Sequence, residues 1–311
     1  MVGSLDCDTM NNTVVQSGND LLVRLFAGIE RNGSDGQLPE PLIANRIPTQ
    51  LADFDALTQG LQRGSLVVIA GTTGMGKTSL ALNLARNICI DSQIPVLYVT
   101  NDSPPKQLVV RMLASISSIE SGRIGAARLS EAEWTKLGEA CSLFGGASLF
   151  FLDHPEESLR AIKEQCLTLQ AKECGIPGVV IVDQLQLMPE FYGPESPCLD
   201  TLLRDLRQLA VDLNLCLILL CQTPPSPELR DNHRPLLNDL PGILAMQAYA
   251  HVISFLHREE FWEPNISLRG QTEMIFFKNV DNPVGMFKMM FVPQLSHFTT
   301  PESASHEIGF A

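Results

Sequence analysis

The stretch Gly71-Thr72-Thr73-Gly74-Met75-Gly76-Lys77-Thr78 decides how the rest of the chain is read. It fits the spacing G-x-x-x-x-G-K-[ST] without a gap, after the apolar run Ser65–Ala70 and at the start of a helical pattern over Lys77–Ile90. Strand, glycine loop and helix start in that order make a phosphate cradle. Glycines let main-chain N–H groups curl around phosphate oxygens, and the helix start adds its partial positive charge. Lys77 then reaches the outer phosphates, and the Thr78 hydroxyl suits a magnesium ion. The competing reading, a chance glycine turn before a helix, requires neither the lysine nor the threonine.

Outward from the loop, apolar runs of strand length alternate with segments of helical period. The runs are Ser65–Ala70, Pro95–Thr100, Ser148–Leu152, Val179–Asp183 and Leu215–Cys221, and between them lie Lys77–Ile90, Pro104–Ser118, Glu157–Lys172 and Leu199–Leu213. Continuously apolar strands joined by helices predict an α/β fold, a mainly parallel sheet with helices on both faces. After Ala250 three strands follow without helices, His251–His257, Thr272–Lys278 and Met286–Val292, the last two joined by the turn Asp281–Gly285. They predict an antiparallel strand extension at the C-terminal end. The run Val179-Val180-Ile181-Val182-Asp183 sets a carboxylate at the carboxyl edge of the sheet, where such folds bind ligands. With a phosphate loop upstream, Asp183 is expected to hold the magnesium through its water shell; the plainer alternative is a helix cap.

Composition bounds the function. The 311 residues are 45% hydrophobic and 18% charged, which excludes a chain disordered throughout. No run of about 18 uncharged apolar residues occurs, so no membrane span is expected. The first twenty residues have no basic patch before an apolar core, which argues against secretion and for the cytoplasm. Lys and Arg number 22 against 35 Asp and Glu, a net charge of −13. Such a chain is no general nucleic-acid coat, so any contact there needs a local basic surface or main-chain amides. The eight cysteines form no C-x-x-C pair and read as thiols in a reducing compartment. Cys221 has no nearby His in sequence to activate it. His154, His233, His251 and His257 have no ligand spacing and are expected at surfaces. Residues 1–45, rich in Asn, Gly, Ser and Asp, predict a weakly ordered leader with one apolar docking patch at Leu21–Phe26. The domain is expected over residues 46–298, with a flexible tail at 299–311.

Several stretches in order resemble the RecA-like C-terminal ATPase domain of the DnaB-type bacterial replicative helicases. These are the lead-in from Ile47 to Gln62, Arg111-Met112-Leu113-Ala114-Ser115, the helix start Leu129-Ser130-Glu131-Ala132-Glu133-Trp134, Asp183-Gln184-Leu185-Gln186-Leu187-Met188, and Lys278 with Asn282-Pro283-Val284-Gly285. The resemblance runs from about Ile47 to Phe298. It implies a RecA-like P-loop NTPase that uses ATP and Mg²⁺, with Gly71 to Thr78 holding phosphate. It places Asp102 where the family has its catalytic Glu. Gln222 falls at the family's γ-phosphate sensor, Arg111 near the nucleotide, and Lys278 where a lysine meets the neighbouring subunit's nucleotide. It also implies a homo-oligomeric ring, a hexamer, with single-stranded DNA in its pore and a loader or other replication partner. Plainer readings stay open: Gln222 as a turn residue before Pro224-Pro225, Arg111 as a solvated helix residue, and Lys278 as a charge guarding an edge strand.

Three departures from the family pattern stand out. Asp102 is one methylene shorter than Glu, and a misplacement on the order of 1 Å can cost roughly a hundredfold in rate. Val280 occupies the arginine-finger position, a group worth about 10³ to 10⁵ in rate when supplied in trans; Arg258 and Arg269 are candidate substitutes. The pore loop Asp239-Leu240-Pro241-Gly242-Ile243-Leu244 lacks the family's charges, leaving DNA contact to Gly242 and main-chain N–H groups, with Arg230 and Arg234 upstream. The leading expectation is therefore a helicase ATPase that couples hydrolysis to translocation on single-stranded DNA and unwinding. The alternatives are a hydrolysis-weakened ATP-binding relative that serves assembly or regulation, and a recombination-type RecA-like ATPase, against which the order of segments argues.

Overall fold

The strands that carry the phosphate loop are apolar at every position because both faces of their sheet are covered. In the computed structural model, which describes residues 45–153, 158–172, 175–192, 197–224, 230, 232–262 and 269–299, these strands are β3 (Leu66–Gly71), β4 (Val96–Thr100), β5 (Leu149–Asp153), β6 (Val179–Asp183) and β7 (Cys216–Gln222). Along β3, Val67 and Ile69 face one core with Leu80 and Leu84 of helix α2 (Lys77–Arg86) and Met112 of α3 (Pro105–Ser117). Leu66, Val68 and Ala70 face the other, with Ile162 of α6 (Ser158–Ala171), Leu206 of α7 (Pro197–Asp212) and Met246 of α8 (Ile243–Tyr249). Each fully buried aliphatic side chain contributes about 1.5–3 kcal/mol. Charge is excluded from strand interiors here; Asp153 and Asp183 stand at the carboxyl ends of β5 and β6.

A further strand, β8 (Val252–His257), runs parallel to β3 on its other side. Strands β9 (Gln271–Asn279), β10 (Met286–Val292) and β11 (His297–Thr299) then add in antiparallel order. The nine-stranded sheet reads β11-β10-β9-β8-β3-β7-β6-β4-β5. This is the expected parallel sheet with its antiparallel extension, and it sets β3 in the interior with the phosphate loop at the carboxyl edge. A small ladder of β1 (Arg46–Ile47) and β2 (Leu61–Gln62) brackets α1 (Ala52–Thr58) ahead of the sheet. Helices α4 (Ser121–Gly125) and α5 (Glu131–Gly145) connect α3 to β5. The L-x-x-x-x-W stretch opens α5 through a capping box, in which the Ser130 hydroxyl accepts from Glu133 N–H and the Glu133 carboxylate accepts from Ser130 N–H at 2.8 Å.

Three details depart from the sequence expectations. The helix expected to Ile90 is α-helical only to Arg86 and widens into a π-turn over Asn87–Asp91, where Asn87 Nδ2 reaches across to donate to Thr49 O. His257 was expected at a surface but is 3% exposed, because it ends an inner strand, and His251 is half-buried. Lys278 does not guard an edge, since β9 lies between β8 and β10. The leader, apart from Asn45, and its patch Leu21–Phe26 lie outside the described residues, as do His154 and the tail from residue 300.

Candidate nucleotide site

The loop from Gly71 to Gly76 turns through two left-handed glycines, Gly74 at φ +85° and Gly76 at φ +97°. Both conformations disfavour a side chain. At Gly76 a Cβ would also lie 3.0 Å from the Phe298 ring and 3.4 Å from Phe291, two rings stacked 4.4 Å apart. Gly76 is the N-cap of α2, so the helix start and its unpaired N–H groups face the loop.

Lys77 is 8% exposed, and its ammonium donates to Gly71 O at 2.8 Å and Thr72 O at 3.0 Å. Burial pushes its pKa down to about 8, against a partial counterweight from Cys221 and Asp183. Asp183 is 4% exposed and accepts from Tyr98 OH at 2.7 Å and from the Thr78 hydroxyl. Burial raises the Asp183 carboxyl pKa, and these two hydrogen bonds oppose the rise. Tyr98, in the middle of β4, was not among the residues singled out in the sequence. An aromatic hydroxyl inside an otherwise aliphatic strand was its signal, because a buried phenol requires a partner.

A phosphate bound at Lys77 would be held in a pH-dependent way, because the lysine pKa is lowered. Only the ammonium can bond phosphate as a charged donor, so above about pH 8 a proton must be taken up on binding. Affinity for ATP with magnesium is expected to fall by up to about tenfold per pH unit above that point. A calorimetric titration series that stayed flat from about pH 7 to 9.5 would contradict it. The stability of the unligated fold is expected to follow the opposite trend: burying the charge is unfavourable below about pH 8, and that penalty lifts as pH rises toward the unfolded lysine value of 10.5.

The remaining sequence-assigned residues fall into three groups. Asp102 and Gln222 stand at the same carboxyl edge. Asp102 is exposed, follows β4, and its charge is felt at Asp183. Gln222 pairs in register with Gly71 and is held on three sides. Gln186 donates to its main-chain O at 2.6 Å and accepts from its N at 3.1 Å, and Gln184 Nε2 donates to its Oε1 at 3.2 Å. The repeated glutamine in Asp183-Gln184-Leu185-Gln186 is thus a clamp, a role that spacing alone did not disclose. Arg111 on α3 is half-buried, makes no ion pair among the described residues, and acts electrostatically on Tyr98.

A second group sits in the loop before α8. Arg230 forms a two-pronged pair with Asp239, at 2.7 and 2.5 Å, and Arg234 pairs with Glu273 at 2.5 Å. Both arginines therefore have their charge matched within the chain. His233 stacks on Trp262 with ring centres 4.8 Å apart. Gly242, at φ +60°, is exposed beside Leu244 and packs on Leu199, whose Cδ2 a Cβ would meet at 2.3 Å. The third group is the β9–β10 hairpin. Lys278 donates to Gln247 O and Ala250 O at 2.5 and 2.6 Å, closing the C-terminal end of α8. Val280 is 56% exposed.

The residues present fit a nucleoside triphosphate with a hard cation. Lys77 and a helix start provide cationic and N–H donors, while the Thr78 hydroxyl and Asp183 carboxylate provide oxygen ligands. The DnaB-like helicase C-terminal domain family matches residues 46–300.

The chain belongs to that family.

A replicative DNA helicase DnaB of Nostoc sp. is 36% identical over 221 residues, covering 71% of this chain and 24% of the relative. The replicative DNA helicase DnaC of Bacillus subtilis is 26% identical over 303 residues, covering 96% and 65%. Among solved structures, a DnaB-like replicative helicase studied for its interactions with primase superposes with TM-score 0.81 at 26% identity, covering 92% of this chain and 67% of that one. A solved ATPase domain gives TM-score 0.81 at 27% identity, covering 92% and 99%. The chain thus spans between a quarter and two thirds of the length of these two curated DnaB-type relatives. Within this DnaB-like domain, no helix among the described residues is long and apolar enough to cross a membrane.

Proposed function

We propose that this chain binds ATP with Mg²⁺ between β3 and α2 and couples its hydrolysis to movement on single-stranded DNA and duplex unwinding, as part of a homo-oligomeric ring. The observation that carries the reading is the convergence of Lys77, Thr78, Asp183 and the clamped Gln222 on one sheet edge, in a chain of the DnaB-like family. Main-chain N–H groups of Gly74 to Thr78 grip the β-phosphate, and Lys77 moves from the loop carbonyls to the β and γ oxygens. Thr78 and Asp183 hold Mg²⁺, which neutralises charge on the phosphates when bound. Asp102 orients the attacking water. Gln222 meets the γ-phosphate, and its bonds to Gln184 and Gln186 tie that contact to the segment after β6. Arg111 lies beside the nucleotide. Lys278 approaches a neighbouring subunit's nucleotide; to do so it must leave the α8 carbonyls that now hold it. DNA contact falls on the loop of Arg230, Arg234 and Gly242, through main-chain groups where the arginines stay paired. A hexamer, a loader and a cytoplasmic setting follow from the same family reading.

A second reading, an ATP-binding assembly or regulatory module with weakened hydrolysis, is favoured by two particular residues, Asp102 for Glu and the exposed Val280 at the finger position. Steady-state ATPase with and without single-stranded DNA, beside sizing of the assembly, separates them. DNA-stimulated turnover in a ring is the result expected of the helicase. Tight ATP binding without turnover would select the module.

A further inference from the structure

We propose that Arg258 is a positioning residue of the phosphate loop, gripping its apex from within the same chain. This rests on the nucleotide reading above and goes beyond it. The segment that follows β8 meets Gly74 in two ways. Arg258 Nη1 donates to Gly74 O at 3.1 Å, and the Phe261 ring lies so close that a Cβ on Gly74 would stand 2.9 Å from its Cε2. The guanidinium is itself fixed. Its other terminal nitrogen pairs with Glu260, its carbon lies 4.9 Å from the centre of the Phe291 ring, and the side chain is 11% exposed. Glu260 is held in turn by Gly270 N–H at 2.7 Å.

The consequence follows from the planar peptide. Gly74 C=O and Met75 N–H belong to one rigid unit and point in opposite directions. Fixing the carbonyl on Arg258 therefore sets the direction of the Met75 N–H, one of the amides that line the loop. The Met75 side chain is anchored in the core, but the hydrogen bonding of its N–H is otherwise loose among the described residues. The Met75 N–H has only a long bond inside the loop, 3.4 Å to Thr72 O, and glycine at φ +85° adds no side-chain restraint. The same geometry separates Arg258 from an arginine finger. Its charge is matched by a carboxylate and its plane is held against Phe291, so it orders the loop and does not reach for a transferring phosphoryl group.

A loop-positioning residue serves ADP and ATP alike, because both present a β-phosphate to the same amides; a finger distinguishes them. Removing Arg258 alone would leave the half-buried Glu260 carboxylate with its Gly270 N–H bond but no cation to match its charge, so the test uses Arg258→Met with Glu260→Gln, and Arg258→Lys as the conservative variant. Calorimetric titration of wild type with ATP–Mg²⁺ and with ADP–Mg²⁺ first establishes binding, which tests the nucleotide reading by itself. The double variant is expected to weaken ATP and ADP to the same degree, by about tenfold each, equivalent to about 1.4 kcal/mol. Arg258→Lys, which keeps a cation but cannot bond Gly74 and Glu260 together while stacking on Phe291, is expected to lose about threefold for both. Unchanged affinities overturn the proposal. So does a loss confined to ATP or to turnover, which would make Arg258 a group acting on the γ-phosphate.

Discussion

Lys77→Ala is expected to abolish measurable binding of ATP with magnesium while leaving the fold intact. The ammonium is the one cationic group inside the loop, and each hydrogen bond to a charged partner is worth about 1.5–3 kcal/mol. Two such bonds to phosphate correspond to a loss of roughly 10² to 10⁴ in affinity. The main-chain N–H groups and the start of α2 remain, but they cannot replace a full charge at the outer phosphates. In the unligated protein the same lysine is held at some cost: its charge is buried and its pKa is lowered to about 8. Alanine removes that burial penalty together with the bonds to Gly71 O and Thr72 O. The two effects offset, so the melting temperature without nucleotide should move by no more than about 4 °C. Calorimetric titration beside thermal melting checks both halves. Unchanged affinity would mean that the loop is not the phosphate site.

Val280→Arg is expected to raise ATP turnover in assembled rings by tenfold or more. The position follows β9, the residue is 56% exposed, and its main-chain N–H bonds His251 O at 3.1 Å whatever side chain it carries. Arginine there costs the fold little, since exposed positions away from special features usually shift stability by about 0.5 kcal/mol or less. The gain arises only across a subunit boundary, where a guanidinium can meet charge developing on the neighbour's γ-phosphate. Fingers supplied in trans are worth about 10³ to 10⁵ in rate, and Asp102 limits how much of that returns. The assay is turnover per subunit with the assembly sized in the same buffer. No change in an intact ring would contradict the missing-finger account.

Particular residues show what was legible beforehand. Strands β3, β4, β6 and β7 were readable within a residue or so because burial on both faces demands continuous apolar runs, and the loop after β3 announced itself through its glycines and Lys77. Neighbour order was not readable. Nothing in Thr272–Lys278 says that β9 is an inner strand, so an edge guard stayed open as the plainer reading of Lys278, which in the unligated fold closes α8. Elements of two or three residues, β1, β2 and β11, carry too little pattern to be seen, and α8 is only two turns long. Long-range polar partners were equally silent. Tyr98 meets Asp183 across 85 positions and Arg258 meets Gly74 across 184, and only the folded sheet brings them together. The pairing of Arg230 with Asp239 and of Arg234 with Glu273 was silent in the sequence for the same reason.

A crystal of the chain grown with a non-hydrolysable ATP analogue and magnesium tests the central claim most directly. The account expects the β-phosphate within hydrogen-bond distance of the main-chain N–H groups from Gly74 to Thr78, Lys77 Nζ moved from Gly71 O onto the phosphates, and the cation beside Thr78 and Asp183. A triphosphate bound elsewhere, or this loop collapsed onto Lys77 at saturating nucleotide, would contradict it.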